Sequence, residues 1–282
     1  MCLIKYFLSV FHKNIGNDIL YGLFEKFKQN MNAINETNPI VFKQDETFLS
    51  ALHLSADMGR LEFIEYLAEK NQNINPHDNT GFTPMHYAAK NNRLHIIDYY
   101  LKSSAVIIKN PSQVSNDSFQ GRTPLHIASE KGFLRMVKAI TPYIEEKNPP
   151  DTYMFTPLHL ATIFDQMSIV EYLVKETNDT NPHASIYWQY ATPLSKATQY
   201  DNGDIVRYLV DLDPDRVDEK TQPGFFGQTA YEVSLKEGDL AWDVKNFLSQ
   251  FERKNIDVTN EGHCENSKYL NCTHGDIHKL QL

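Results

Sequence analysis

The feature that most constrains this chain is a repeat. Residues 121–140 read Gly-Arg-Thr-Pro-Leu-His-Ile-Ala-Ser-Glu-Lys-Gly-Phe-Leu-Arg-Met-Val-Lys-Ala-Ile, and varied copies of this stretch run along nearly the whole sequence. Gly-x-Thr supplies a turn and then a helix N-cap. Pro124 at the first helical position gives up only an N–H that would have no intrahelical acceptor. Leu125, Ile127 and Ala128 are expected to face inward, Gly132 to end this short helix, and Leu134, Val137 and Ile140 to line one stripe of a second helix. A single helix pair of this size cannot bury its own apolar side, so the copies must stack on one another.

The Thr of Thr-Pro-Leu-His serves as a ruler. Ser50, Thr83, Thr123, Thr156, Thr192 and Thr229 are separated by 33, 40, 33, 36 and 37 residues. The fullest copies are Thr83-Pro84-Met85-His86-Tyr87-Ala88-Ala89, Thr123-Pro124-Leu125-His126-Ile127-Ala128 and Thr156-Pro157-Leu158-His159-Leu160-Ala161. Ser50-Ala51-Leu52-His53-Leu54-Ser55-Ala56 and Thr192-Pro193-Leu194-Ser195-Lys196-Ala197 are weaker, and Thr229-Ala230-Tyr231-Glu232 is degenerate. The chain therefore resembles the ankyrin repeat family, whose unit of about 33 residues carries Thr-Pro-Leu-His-x-Ala. The resemblance implies an all-α solenoid of stacked helix-turn-helix units joined by β-hairpin-like turns.

A second ruler agrees. The last apolar residue of the second helix is followed eight positions later by Asn at Phe27/Asn35, Leu67/Asn75, Ile140/Asn148 and Leu173/Asn181, and three of these Asn precede Pro. Asn-Pro ends a helix and sets an extended approach to the next turn, because the residue before Pro avoids the helical region. Phe24-Glu25-Lys26-Phe27 then aligns with Ile64-Glu65-Tyr66-Leu67, implying a degenerate repeat ahead of Ser50. The expected organisation is a degenerate capping repeat over 1–44, about six repeats over 45–251, and a polar tail without periodicity over 252–282.

At 282 residues the chain could hold two globular domains, but a solenoid grows by adding units, so one elongated domain is expected. Net charge −9 argues against nucleic-acid binding, which needs clustered Lys and Arg, and suits a basic protein partner. The three Cys (Cys2, Cys264, Cys272) build no disulfide framework, which fits a reducing, cytoplasmic setting. The apolar opening, Met1 to Phe11, is broken by Lys5, is too short to span a bilayer and lacks a small-residue cleavage site. It reads as a capping helix, with a targeting segment as the other reading.

Asp45, Asp78 and Asp151 each open a turn five residues before the ruler residue. Gly81 occupies the place where the family's turn needs a left-handed residue, while Phe48, Met154 and Tyr190 depart from that pattern. The longest insertion lies between Leu101 and Gly121 and reads either as a tolerated loop or as a lengthened finger on the binding side. Asn116, Asn178 and Asn271 sit in glycosylation triplets that carry no weight without a secretory signal.

Catalytic signatures are absent: there is no Gly-rich phosphate loop, His-Glu-x-x-His, Gly-x-Ser-x-Gly or kinase set, so a non-enzymatic chain without a cofactor is expected. His53, His86, His126 and His159 lie one repeat apart and do not converge as metal ligands must, and the resemblance gives them a structural hydrogen-bonding role. Cys264, Cys272, His274 and His278 in the tail have ligand chemistry without a zinc-finger spacing. Asp211, Asp213 and Asp215 lack the Gly and Glu of a calcium loop and read as a turn between repeats.

In proteins of this fold the turn tips and the exposed end of each first helix build the concave face. Carried over by register, those positions are mostly polar in the early repeats: Asn79, Thr80, Phe82, Lys90 and Asn91, then Phe119, Gln120, Arg122, Glu130 and Lys131. From the fourth clear repeat onward they hold Tyr153, Phe155, Phe164, Trp188, Tyr200, Phe225 and Phe226. Either these aromatics bind a partner or some fold back over the stack. The expectation is a monomeric protein-protein interaction module, a scaffold or adaptor, that binds on its aromatic-rich C-terminal half and does not insert in a membrane. The alternative is the ankyrin portion of a larger channel, kinase or ubiquitin-ligase adaptor.

Overall fold

The computed structural model describes residues 13–33, 39–44, 47–70, 73–103, 121–177, 191–214, 229–236 and 242–251. The opening 1–11, the insertion up to 120, Asn35, Asp45, Asn181, Tyr190, Asp215 and the tail lie outside them. The described residues form helix pairs: α1 (13–21) with α2 (Phe24–Asn32), α3 (Ala51–Met58) with α4 (Leu61–Ala68), α5 (Pro84–Lys90) with α6 (Leu94–Lys102), and α7 (Pro124–Glu130) with α8 (Leu134–Ile140). Then come α9 (Pro157–Ile163) with α10 (Met167–Thr177), α11 (Pro193–Gln199) with α12 (Gly203–Leu212), and α13 (Ala230–Lys236) with α14 (Trp242–Leu248). First helices stack in one row, α3 on α5 through to α11 on α13, and second helices in another, α6 on α8 through to α12 on α14.

The core runs between the two rows. Leu125, Ala128, Val137 and Ile140 are buried, as the spacing predicts, and so are their counterparts Leu158, Ala161, Val170 and Leu173. Each such leucine stabilises the stack by roughly 2 kcal/mol. At the N-terminal end Phe27 is wholly buried with its ring 4.7 Å from Phe63, and Phe24 stands edge-on to Phe63 at 5.0 Å. Ahead of Ser50, α1 and α2 thus form a packed helix pair.

The ruler residue caps each first helix, and the residue three positions on closes the box: Thr123 Oγ1 accepts from the His126 N–H at 3.2 Å, and His126 Nδ1 accepts from the Thr123 N–H at 3.1 Å. Because Nδ1 accepts, the ring proton sits on Nε2, which donates to the carbonyl just before the next ruler residue. His53 reaches Phe82 O (3.1 Å), His86 reaches Arg122 O (2.9 Å), His126 reaches Phe155 O (3.0 Å) and His159 reaches Ala191 O (3.1 Å). Four histidines therefore fasten five units in series. Ser195 and Glu232 close the same box locally, Ser195 Oγ donating to its own Thr192 O at 2.9 Å, and neither has a second nitrogen to send onward.

The Asn ruler has a role that the Asn-Pro reading did not supply. Asn75 Oδ1 accepts from Met85 N–H at 3.3 Å and Asn148 Oδ1 from Leu158 N–H at 3.0 Å, so each serves an N–H in the first turn of the following first helix. The tenth residue after the ruler works backwards: Arg60 donates to Leu20 O, Arg93 to Asp57 O and Asn202 to Thr162 O, all at the ends of the preceding first helices. A left-handed residue follows the first helix in the units built on Ser50, Thr83, Thr123, Thr156 and Thr192: Gly59, Asn92, Gly132, Asp165 and Asp201, with φ from 55 to 78°. At Gly132 the left-handed backbone favours glycine, and a Cβ there would displace the end of the Gln166 side chain.

The turns confirm one expectation and correct another. Asp78 Oδ1 accepts from the Thr80 and Phe82 N–H groups, and Gly81 is left-handed at φ 89°. Asp151 builds the same turn with the Tyr153 and Phe155 N–H groups, and Met154 takes the left-handed place at φ 64° despite its Cβ. At Phe48 the turn is replaced by a two-stranded antiparallel ribbon, β1 (Ile40–Gln44) with β2 (Thr47–Ser50), in which Phe48 pairs with Lys43. Asp211 lies in the last turn of α12 and Asp213 caps it, so the inter-repeat turn expected at Asp211 starts later.

Met154→Gly is expected to raise stability by about 1 kcal/mol, because the side chain is 45% exposed and glycine removes the left-handed penalty. Urea unfolding checks it, and an unchanged or lower midpoint contradicts it. The histidine series makes the fold acid-sensitive. Burial lowers His53, and lowers His86 to about 4 and His126 to about 3, below the ordinary 6.5. Between 6.5 and those values the unfolded chain binds more protons, so stability is complete above pH 6.5 and falls on acidification. Each histidine contributes a slope of about 1.4 kcal/mol per pH unit. Asp57 and Asp151, raised by burial, act in the opposite sense, so the measurement is the difference between wild type and His126→Gln from pH 6.5 to 4.5. The variant should be less stable at pH 7 and lose less on acidification; parallel curves contradict it.

Candidate functional site

The turn tips and the ends of the first helices share a face. Arg122, in the turn, reaches across to Glu130 at the end of α7 (2.8 Å) and lies 3.7 Å from Asp151 of the next turn, whose carboxylate is buried. Lys131 pairs with the other oxygen of Glu130 at 3.3 Å. In the preceding unit Asn91 Nδ2 donates to Asp57 Oδ1, and Phe82 stacks flat on His86 with centroids 5.0 Å apart. Up to α7 this face is polar, and many of its charges satisfy one another.

The next two units differ. Phe155, expected on the exposed face, is 7% exposed: its ring stands edge-on to His159 at 5.3 Å, and its carbonyl takes the His126 proton. With Ala191 it forms the buried centre of a small cluster separate from the main core, covered by Tyr153 and Ile163. Phe155 is therefore corrected to a packing residue. Tyr153 is half-buried over that cluster.

Phe164 and Tyr200 remain open, at 47% and 53% exposure. Each is the C-cap of a first helix, α9 and α11, eight residues after the ruler, where the earlier units place Met58, Asn91 and Lys131. The C-cap geometry explains the exposure: the next residue, Asp165 or Asp201, turns left-handed to start the second helix, so the cap side chain stands outside both rows. Trp188, Phe225 and Phe226 lie outside the described residues. Of the seven aromatics singled out in the sequence, two are open, one is half-buried and one is packed. The two open rings share the C-cap register, whereas Phe155 sits just before the ruler residue.

Among the described residues no three His, Cys, Asp or Glu side chains come together as a metal site, and His53, His86, His126 and His159 are engaged at both ring nitrogens. No helix among the described residues is long and apolar enough to cross a membrane.

Comparison with known proteins agrees with the geometry. The transient receptor potential cation channel subfamily A member 1 of Drosophila melanogaster is 31% identical over 86 residues, covering 29% of this chain and 7% of that protein. The chain thus spans a small part of the relative's length. The family described as Ankyrin repeats (3 copies), a module that binds other proteins, matches residues 13–110 and 106–185. More than half of the chain is covered by that match, and with the fastened helix pairs in view the chain belongs to the ankyrin repeat family.

Proposed function

We propose that this chain is a non-enzymatic, monomeric scaffold or adaptor that works in the cytoplasm and binds a protein partner on the turn-tip face of its C-terminal half. The observation that carries the reading is the pair Phe164 and Tyr200. Two large rings stand open at one register position in adjacent units, where preceding units place Asn91 and Lys131. Aromatics dominate interface energetics, and exposed ones held at a fixed position by a helix cap lose little side-chain freedom on binding.

The match to a cation channel's sequence favours a second reading, in which these repeats are the binding portion of a longer polypeptide. Mapping both ends of the transcript separates the two.

Phe164→Ala combined with Tyr200→Ala is expected to remove a partner retained by the wild type in affinity capture, weakening binding at least 30-fold, about 2 kcal/mol. The unfolding free energy should move by no more than about 0.5 kcal/mol, as usual for surface substitutions. Unaltered capture, or a large loss of stability with binding intact, overturns the proposal.

A further inference from the structure

The joints of this stack are not alike. From the unit built on Ser50 to the one built on Thr192, each joint carries an imidazole that bonds onward, from His53, His86, His126 and His159. The next joint, between the pair α11–α12 and the pair α13–α14, starts from Ser195. Its hydroxyl accepts from the Thr192 N–H and donates to the Thr192 carbonyl, both at 2.9 Å. A hydroxyl has one proton, so nothing is left to donate to the following unit.

The second row weakens at the same joint. The residue that opens each second helix, eleven after the ruler, is Leu61, Leu94, Leu134 or Met167 in the earlier units, each packed against the core, and Gly203 here. A Cβ on Gly203 would lie 3.3 Å from Val244 Cγ2 of α14, so this position faces the following unit and gives it no side chain to bury against. Among the described residues, the side-chain hydrogen bond that crosses the joint runs from Arg207 Nη2 to Asp243 Oδ2 at 2.7 Å, and both groups are exposed. Ion pairs at the surface contribute little and are screened by salt. The opposite end of the stack is built more firmly, with Phe27 buried against Phe63 and Arg60 donating to Leu20 O.

Register shows what the last pair covers. Six residues after the ruler stand Ala56, Ala89, Ser129, Thr162 and Thr198, each with a further helix pair stacked after it, and all are wholly buried. Leu235, at the same place in α13 and with no described pair after it, is 59% exposed. Thr198 is thus covered by the stacking of α13 on α11, two residues before the open ring of Tyr200.

We infer that α13 and α14 form a detachable cap: the pair leaves α11–α12 as one unit while the rest of the stack stays folded, and its departure bares the side of α11–α12 that carries Thr198, beside Tyr200. In a stacked array stability is a sum of contributions from units and joints, so the joint with the fewest ties sets where the array opens. Release of the cap widens the surface that Phe164 and Tyr200 begin. The inference rests on the joints alone and stands or falls apart from the partner-binding reading.

The test is native-state hydrogen exchange of the full chain at neutral pH, read by mass spectrometry. The amides of α13 and α14 should exchange together, about tenfold or more faster than those of α11, α12 and α2. Arg207→Gln, or raising sodium chloride to about 0.5 M, should speed α13 and α14 about threefold and leave α9 to α12 unchanged. His159→Ser, which gives the preceding joint the serine of this one, should bring α11 and α12 into the fast group. Exchange of α13 and α14 as slow as that of α11 and α12 overturns the inference. So does equally fast exchange in α2, which would make the opening a property of either end, and so does slow exchange of α11 and α12 in His159→Ser. Arg207→Gln alters only surface groups and keeps the test decisive should His159→Ser not fold: unchanged exchange of α13 and α14 in that variant also overturns the inference.

Discussion

The structure depends on one two-ended side chain. An imidazole has two nitrogens on opposite edges of a rigid ring, and in this chain one edge closes the cap of its own helix while the other holds the backbone of the next unit. A hydroxyl or a carboxylate can do the first task, as Ser195 and Glu232 do, but on those side chains the same atoms are then spent. Only the ring works in both units at once. Burial keeps it neutral, and neutrality preserves the alternation of acceptor and donor that the two bonds require. The helix cap and the stacking of repeats are therefore one interaction, which explains why the motif repeats as a block.

Around that link the remaining polar backbone groups are satisfied by residues at fixed distances. Asn75 and Asn148 look forward to the first turn of the next helix, while Arg60, Arg93 and Asn202 look back to the last turn of the previous one. Seven-residue helices leave most of their backbone groups without intrahelical partners, so short helices are tolerable only where neighbours supply donors and acceptors. The left-handed residue after each first helix is the geometric counterpart of this exchange, since it brings the second helix back along the first. Gly takes this place at Gly59 and Gly132, and Asn or Asp at Asn92, Asp165 and Asp201.

The face left over by this construction changes character along the chain. In the early units it is occupied by charges that pair among themselves, such as Arg122 with Glu130. In the two units built on Thr156 and Thr192 it carries rings. A ring beside a hairpin turn can fold over the junction, and Phe155 does so against Ala191; a ring at a helix cap has no junction beneath it. The split between packing and exposure within one set of aromatics thus follows from which backbone each is attached to.

The sequence by itself determined the fold: the ruler residue and the inward apolar residues after it recur along the chain, most fully with Pro at Thr83, Thr123 and Thr156, and each acts locally enough to be read without knowing its neighbours. It also placed the four histidines in a structural role. It did not reveal what Asn75 and Asn148 bind, because a partner ten residues on becomes a neighbour only after the chain has turned back. Nor could it part Phe155 from Phe164, since both are aromatics at nominally open positions. That was decided by the adjoining unit, which covers one ring and leaves the other in solvent, because burial in a stacked array belongs to the contact between repeats and not to any single repeat.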